Sequence, residues 1–401
     1  MMQRCKHLMM MLVIMVNAIG RVFCASAAES FIPRLEKRVT QWREELPALR
    51  EAAQIAAKGV LAGGNLYVTG TQPSFGAEAG GRSGGLMFLT SYHPEVELTE
   101  RDTILAAMTG AEDEQTLASL QEAISRAEAA GARVVLFAGA ARDRLRKSSA
   151  SLRILPRKPF DEDEALSNLS IESVSNVIAL WAWTGEFVTA CVEQGKMPCM
   201  YESYGMPGGC ERADVLRAKG EPRFHEVTNV TPESAAGLGE RYLEAVGNAL
   251  AMTWERNQEA FDHAAMLIRQ AHEGGHVAYV FHVGHMFPTE FQVLQNPEWF
   301  RSVGPEDKPK PEDVAIMIEY QGFPWRQTDD IAKVGSPCIV TCSHLPPAEF
   351  TQNPRNVYIN PCWEIYDAGV ILNGYDVRML PISGVMQSAI YWQLVEKASK
   401  D

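Results

Sequence analysis

What most constrains this chain is that it repeats itself. Trp42 is followed ten residues later by Ala52-Ala53 and then by Gly63-Gly64, and Trp254 is followed ten residues later by Ala264-Ala265 and then by Gly274-Gly275. The offset is 212 and then 211. Self-similarity at this spacing means two copies of one supersecondary unit rather than a single large sheet. Past each Gly-Gly an apolar run ends in glycine: NLYVTG at 65–70 and HVAYVFHVG at 276–284. A continuous apolar run after a helical stretch is the pattern of a parallel strand buried on both faces.

The correspondence continues. DTILAAMTG (102–110) matches DVAIMIEYQG (313–322), and ARVVLFAG (132–139) answers SPCIVTCS (336–343). Ile171, Val174 and Trp181 recur as Ile382, Val385 and Trp392. The segment EDEQTLASLQEAISRAEAAG predicts an amphipathic helix stopped by its glycine. Strands alternating with helices imply a parallel sheet covered on both sides. The expected fold is therefore α/β: two tandem three-layer α/β/α sandwiches of flavodoxin- or Rossmann-like topology, related by a pseudo-two-fold axis. The first domain is placed at 31–195, a Gly-, Pro- and polar-rich linker at 196–236, and the second domain at 237–401.

Composition limits the partners. The 401 residues carry 37 Lys and Arg against 50 Asp and Glu, with no basic stripe, so a nucleic-acid partner is not expected. Residues 1–27 read as a signal peptide: Arg4 and Lys6 form a basic n-region, an apolar run follows, and Ala25 and Ala27 make an A-x-A cleavage site. Cleavage would leave a secreted or periplasmic protein with no membrane segment; an uncleaved anchor is the alternative. Eight cysteines form no CxxC pair, and Cys338 and Cys342, four apart on one predicted strand, stand too far apart to bridge. His282 and His285 leave their strand on opposite faces, so no metal is expected, and no cofactor is indicated.

The order helix, Gly-Gly, strand, Gly-Thr loop, Arg-x-Gly-Gly-Leu, strand and Thr-Gly turn, seen in AAQIAAKGVLAGGNLYVTGTQPS (52–74), GRSGGL (81–86) and AAMTG (106–110), resembles the SIS (sugar isomerase) phosphosugar-binding domain. In the second copy AAMLIRQAHEGGHVAYVFHVGH (264–285) and LPISGVMQSAIYWQLVEKA (380–398) fit the same pattern, the latter as a closing helix. The tandem arrangement is similar to the isomerase half of glucosamine-6-phosphate synthase. That resemblance implies a small-molecule sugar or sugar-phosphate ligand, with isomerase activity in some members.

It also implies which residues hold the ligand: Thr71, Gln72 and Ser74 in the first loop, Arg82 beyond it, Thr109 and Gly110 in the second turn, and His285 in the second copy. Thr71 and Ser74 precede a helix, where backbone N–H groups favour an anion. Half of the hydroxyls usual for this family are absent, and Glu319 in the second copy would repel a phosphate. Aldose–ketose isomerisation needs a carboxylate base, for which Glu186 and Glu202 are the candidates, with His225 available for ring opening. Two functions follow as expectations: a sugar-phosphate isomerase, or a non-catalytic carbohydrate-binding or assembly protein. Pairing of two chains is left open.

Overall fold

A computed structural model describes residues 30–69, 73–110, 112–139, 152–157, 169–203, 206–220, 222–282, 299–302, 309–320, 322–363 and 368–399. Helices α1 (Phe31–Glu44) and α2 (Leu46–Leu61) open the chain. They divide at Glu45 because Pro47 lies in the first turn of α2, where its missing N–H leaves no hydrogen bond unmade. Then come β1 (Leu66–Val68), α3 (Pro73–Ala79), β2 (Leu89–Ser91), β3 (Thr103–Ala107), α4 (Glu114–Ala130), β4 (Arg133–Phe137), β5 (Leu152–Leu155) and α5 (Leu169–Glu193). The strands join in the order β2-β1-β3-β4-β5, every pair parallel. The helix expected after Gly110 is α4, capped by Asp113 and ended by Gly131 in the left-handed conformation (φ 72°).

The connecting stretch contains α6 (Gly209–Ala218) and α7 (Pro232–Ala235). Beyond it lie α8 (Leu238–Arg256), α9 (Gln258–Glu273), β6 (Ala278–His282), β7 (Phe300–Ser302), β8 (Val314–Ile318), α10 (Trp325–Val334), β9 (Cys338–Thr341), α11 (Ala348–Gln352) and β10 (Asn356–Ile359). These strands order as β7-β6-β8-β9-β10, again all parallel, which is the connectivity of the first sheet. A small antiparallel pair, β11 (Ala368–Val370) with β12 (Met379–Pro381), and helix α12 (Ser383–Ser399) follow. The fold is thus two parallel five-stranded sheets flanked by helices.

One buried aspartate shows how alike the halves are. Asp102, just before β3, accepts bonds from the backbone N–H of Asn65 (2.5 Å) and of Thr99 (2.7 Å). Asp313, just before β8, accepts the matching bonds from Val277 (3.1 Å) and Lys310 (2.7 Å). In each half a carboxylate ties the start of the first strand to the start of the third, satisfying amides that the ladder leaves unpaired.

Side-chain alternation divides each sheet between two layers. Leu105 and Ala107 on β3 face a core shared with α1, α2 and α5, whereas Ile104 and Ala106 pack under α4 with Leu120 and Ile124. On β8, Ile316 and Ile318 join the same shared core, while Ala315 and Met317 pack with Ile331 of α10 and Phe350 of α11. That shared core runs without a break from one half to the other. Across it α1 packs on α8 and α5 on α12, pairs that an approximate two-fold would map onto themselves. The six cysteines among the described residues are free thiols, with Cys191, Cys199, Cys338 and Cys342 buried. No described helix is long and apolar enough to cross a membrane.

Candidate ligand site at the carboxyl edge of the first sheet

With this strand order the chain leaves β1 toward one edge of the sheet and β3 toward the other. In open α/β sheets the crevice that takes ligands lies where they part, above the carboxyl ends of both strands. Its floor is set by backbone bonds: Thr69 N–H donates to Leu105 (2.8 Å) and Met108 N–H to Phe137 (2.8 Å). Buried Asn176 on α5 donates its side-chain amide to the Met108 carbonyl (2.8 Å), clamping the turn that follows. That turn is Thr109-Gly110, and the glycine is required by its φ of 95°.

The turn points three donors at one place, and the chain itself supplies the anion. The Glu112 carboxylate accepts from the Thr109 N–H (2.5 Å), the Thr109 hydroxyl (2.9 Å) and the Gly110 N–H (2.9 Å). Asp113 next to it caps α4 through the Thr116 N–H, and this bond holds its carboxyl below the usual range. From the sequence these two acids belong only to the start of the expected helix; in the structure Glu112 folds back onto the turn.

The other sequence candidates fall in different places. Thr71, Gln72 and His285 lie outside the described residues, as does the side chain of Ser74, whose backbone belongs to α3. Arg82 is fully buried. It donates to Glu78 (2.9 Å) and to the Ser383 hydroxyl (3.0 Å), locking the exit of α3 onto the start of α12.

Glu186 is also buried, but in the seam between helices. It accepts from Arg50 Nε of α2 (2.6 Å) and from the Gly239 N–H at the start of α8 (3.2 Å). Ten residues separate it from Asn176, about 15 Å along the helix, so it does not reach a small ligand held over Thr109. At Glu186, the base expected from the sequence, the carboxylate thus meets an arginine from another helix, and on an apolar helix that arrangement and a carboxylate facing a cavity give the same sequence pattern.

Glu202 faces a separate cavity of about 230 Å³, walled by Ser83 and Gly84, by Glu202, Ser203 and Met206, and by Ala368, Ile371 and 375–378. Burial pushes its carboxyl above the usual range, against the opposing pull of Arg212 at 3.8 Å. Behind it Arg212 pairs with Asp376 (2.8 Å), and Tyr375 meets His225 (3.0 Å), whose pKa burial lowers. Glu202 and His225, both named from the sequence, therefore share one neighbourhood through Arg212 and Tyr375, apart from the Thr109 turn.

In the second sheet the corresponding crevice carries Glu319 at the end of β8, its N–H bonded to Thr341 (2.9 Å). Burial raises its carboxyl to about 7. Unfolded, Glu319 would ionise near its ordinary value of 4.5, so between there and about pH 7 the folded state holds a proton that the unfolded state has lost. Stability therefore falls as pH rises through that window. We expect the melting temperature of Glu319→Gln to be flatter than that of the wild type across this range; parallel profiles would refute the assignment.

No family model and no curated sequence matches this chain. Among solved structures, a Salmonella typhimurium LT2 protein assigned as sugar-binding superposes with a TM-score of 0.51 at 12% identity, covering 93% of this chain and 98% of that one. The chain shares that protein's fold, two parallel five-stranded sheets flanked by helices. Lower overlaps are with the C-terminal domain of glucosamine-fructose-6-phosphate aminotransferase from Francisella tularensis (TM-score 0.47, 9% identity, 92% of this chain and 96% of that one) and with a Silicibacter pomeroyi DSS-3 protein assigned as a phosphosugar isomerase (0.45, 13%, 92% and 96%).

Proposed function

We propose that this protein binds a small sugar or sugar derivative at the carboxyl edge of the first sheet. The observation carrying this reading is the Thr109-Gly110 turn, whose amides and hydroxyl hold the Glu112 carboxylate at the strand-order switch point, where it can accept from sugar hydroxyls. The ligand class is drawn from the fold shared with a sugar-binding protein.

Titration calorimetry with a panel of hexoses and amino-hexoses tests this. Thr109→Val should weaken binding about tenfold, the effect of losing one hydroxyl partner and disturbing its neighbours, while Glu319→Gln in the other sheet leaves affinity unchanged. Equal losses from both would place the site elsewhere. The reading also includes export, supported by the basic, apolar and A-x-A segments of residues 1–27. N-terminal sequencing of extracellular or periplasmic material should then begin just after Ala27.

The Glu202 cavity favours a second reading, an aldose–ketose isomerase. There a carboxyl of raised pKa and a histidine of lowered pKa lie within one network, a pairing suited to moving protons near neutrality. In that case Glu202→Gln lowers kcat by about 10²- to 10⁴-fold with ligand affinity nearly intact. Absence of turnover on free and phosphorylated hexoses alike leaves the binding reading.

A further inference from the structure

We infer that Glu112 is a specificity residue: its carboxylate fills the place a phosphate would take on the Thr109-Gly110 turn, so the crevice selects an unphosphorylated ligand. This deepens the sugar-binding reading and rests on it. The Thr109 N–H, the Thr109 hydroxyl and the Gly110 N–H are the donors through which such a turn would grip an anion, and all three are directed at the Glu112 oxygens. Each N–H has a single hydrogen, so a phosphate cannot share them; it would have to evict a carboxylate tethered only two or three residues away. Such a tether keeps the competitor at high local concentration.

Charge adds to competition. A ligand phosphate carries between one and two negative charges near pH 7, and it would arrive beside Glu112, the cap residue Asp113 and Glu114 in the first turn of α4. The groups that a carboxylate welcomes are hydroxyl and ammonium donors, those of a neutral or amino sugar. Buried Asn176 fixes the turn from below through the Met108 carbonyl, so the donors are held in place and do not swing away to serve a different anion.

Calorimetry on the full chain with glucose, glucosamine, their 6-phosphates and inorganic phosphate, for wild type, Glu112→Gln and Glu112→Ala, tests the assignment. Wild type should bind the free sugars at least tenfold more tightly than the 6-phosphates and take up no inorganic phosphate. Both variants should gain at least tenfold for the 6-phosphates, and Glu112→Ala should acquire inorganic phosphate binding. Wild type that prefers the 6-phosphates, or variants that gain nothing, would overturn it. If no sugar binds wild type but Glu112→Ala still acquires phosphate, the sugar reading fails while the exclusion by Glu112 stands; if neither happens, both fail. The near-isosteric Gln variant, verified by circular dichroism melting, answers the same question should Ala perturb the turn.

Discussion

Arg82→Met should cost about 3–5 kcal/mol of stability in denaturant unfolding, because it leaves Glu78 ionised in the interior without the guanidinium that faces it. Both side chains are buried, and the pair is further fixed by the Ser383 hydroxyl. Replacing both partners removes the stranded charge. Arg82→Met/Glu78→Leu should therefore recover most of the loss, whereas independent sites would give the sum of the single effects. A simple sum would show that the two charges are satisfied separately. The space is confined on a third side, since a Cβ at Gly384 would stand 2.6 Å from Glu78 Oε1 and 3.1 Å from Arg82 Nη2.

Gly185→Val should be comparably severe, costing about 3 kcal/mol or somewhat more. A Cβ at Gly185 would lie 2.7 Å from the Gly239 nitrogen and 2.9 Å from the Leu238 carbonyl carbon. Both are backbone atoms of α8, so the helices would have to separate rather than a side chain turn aside. Gly322→Ala is the control: nothing lies within 4 Å of its Cβ and its φ is not in the left-handed region, so a change within about 0.5 kcal/mol is expected. If the two substitutions cost the same, the α5–α8 crossing is not the close contact described.

The fold was legible wherever burial on both faces imposed a continuous apolar run. DTILAAMTG and DVAIMIEYQG announced β3 and β8 because central strands have no solvent side to mark with polar residues. Gly131 marked the end of α4 for a local steric reason, and Gly110 marked the turn. The site was less legible, since its character depends on contacts far apart in the chain. Glu186 meets Arg50 across 136 residues, and Arg82 meets Ser383 across 301. Neither pairing leaves a periodic trace. Helix α6 was hidden by the glycine and charge of GCERADVLRA, and it becomes stable through tertiary partners such as the Arg212–Asp376 pair. Glu112 could have been suspected: an acid two residues beyond a Thr-Gly turn is within reach of that turn's own amides.

Because α1 leaves the first half to lie on α8 and α12, each half completes its neighbour's interior. The backbone of Ile32 donates to the Gln393 side chain (3.1 Å), and Arg34 pairs with Glu396. A tryptic nick at Lys219, exposed in the connector beside exposed Gly220, would cut one covalent link and none of these contacts. The products should behave as a fragment-complementation pair: two pieces that co-migrate in native gels, come apart only in denaturant, and regain their shape when mixed again.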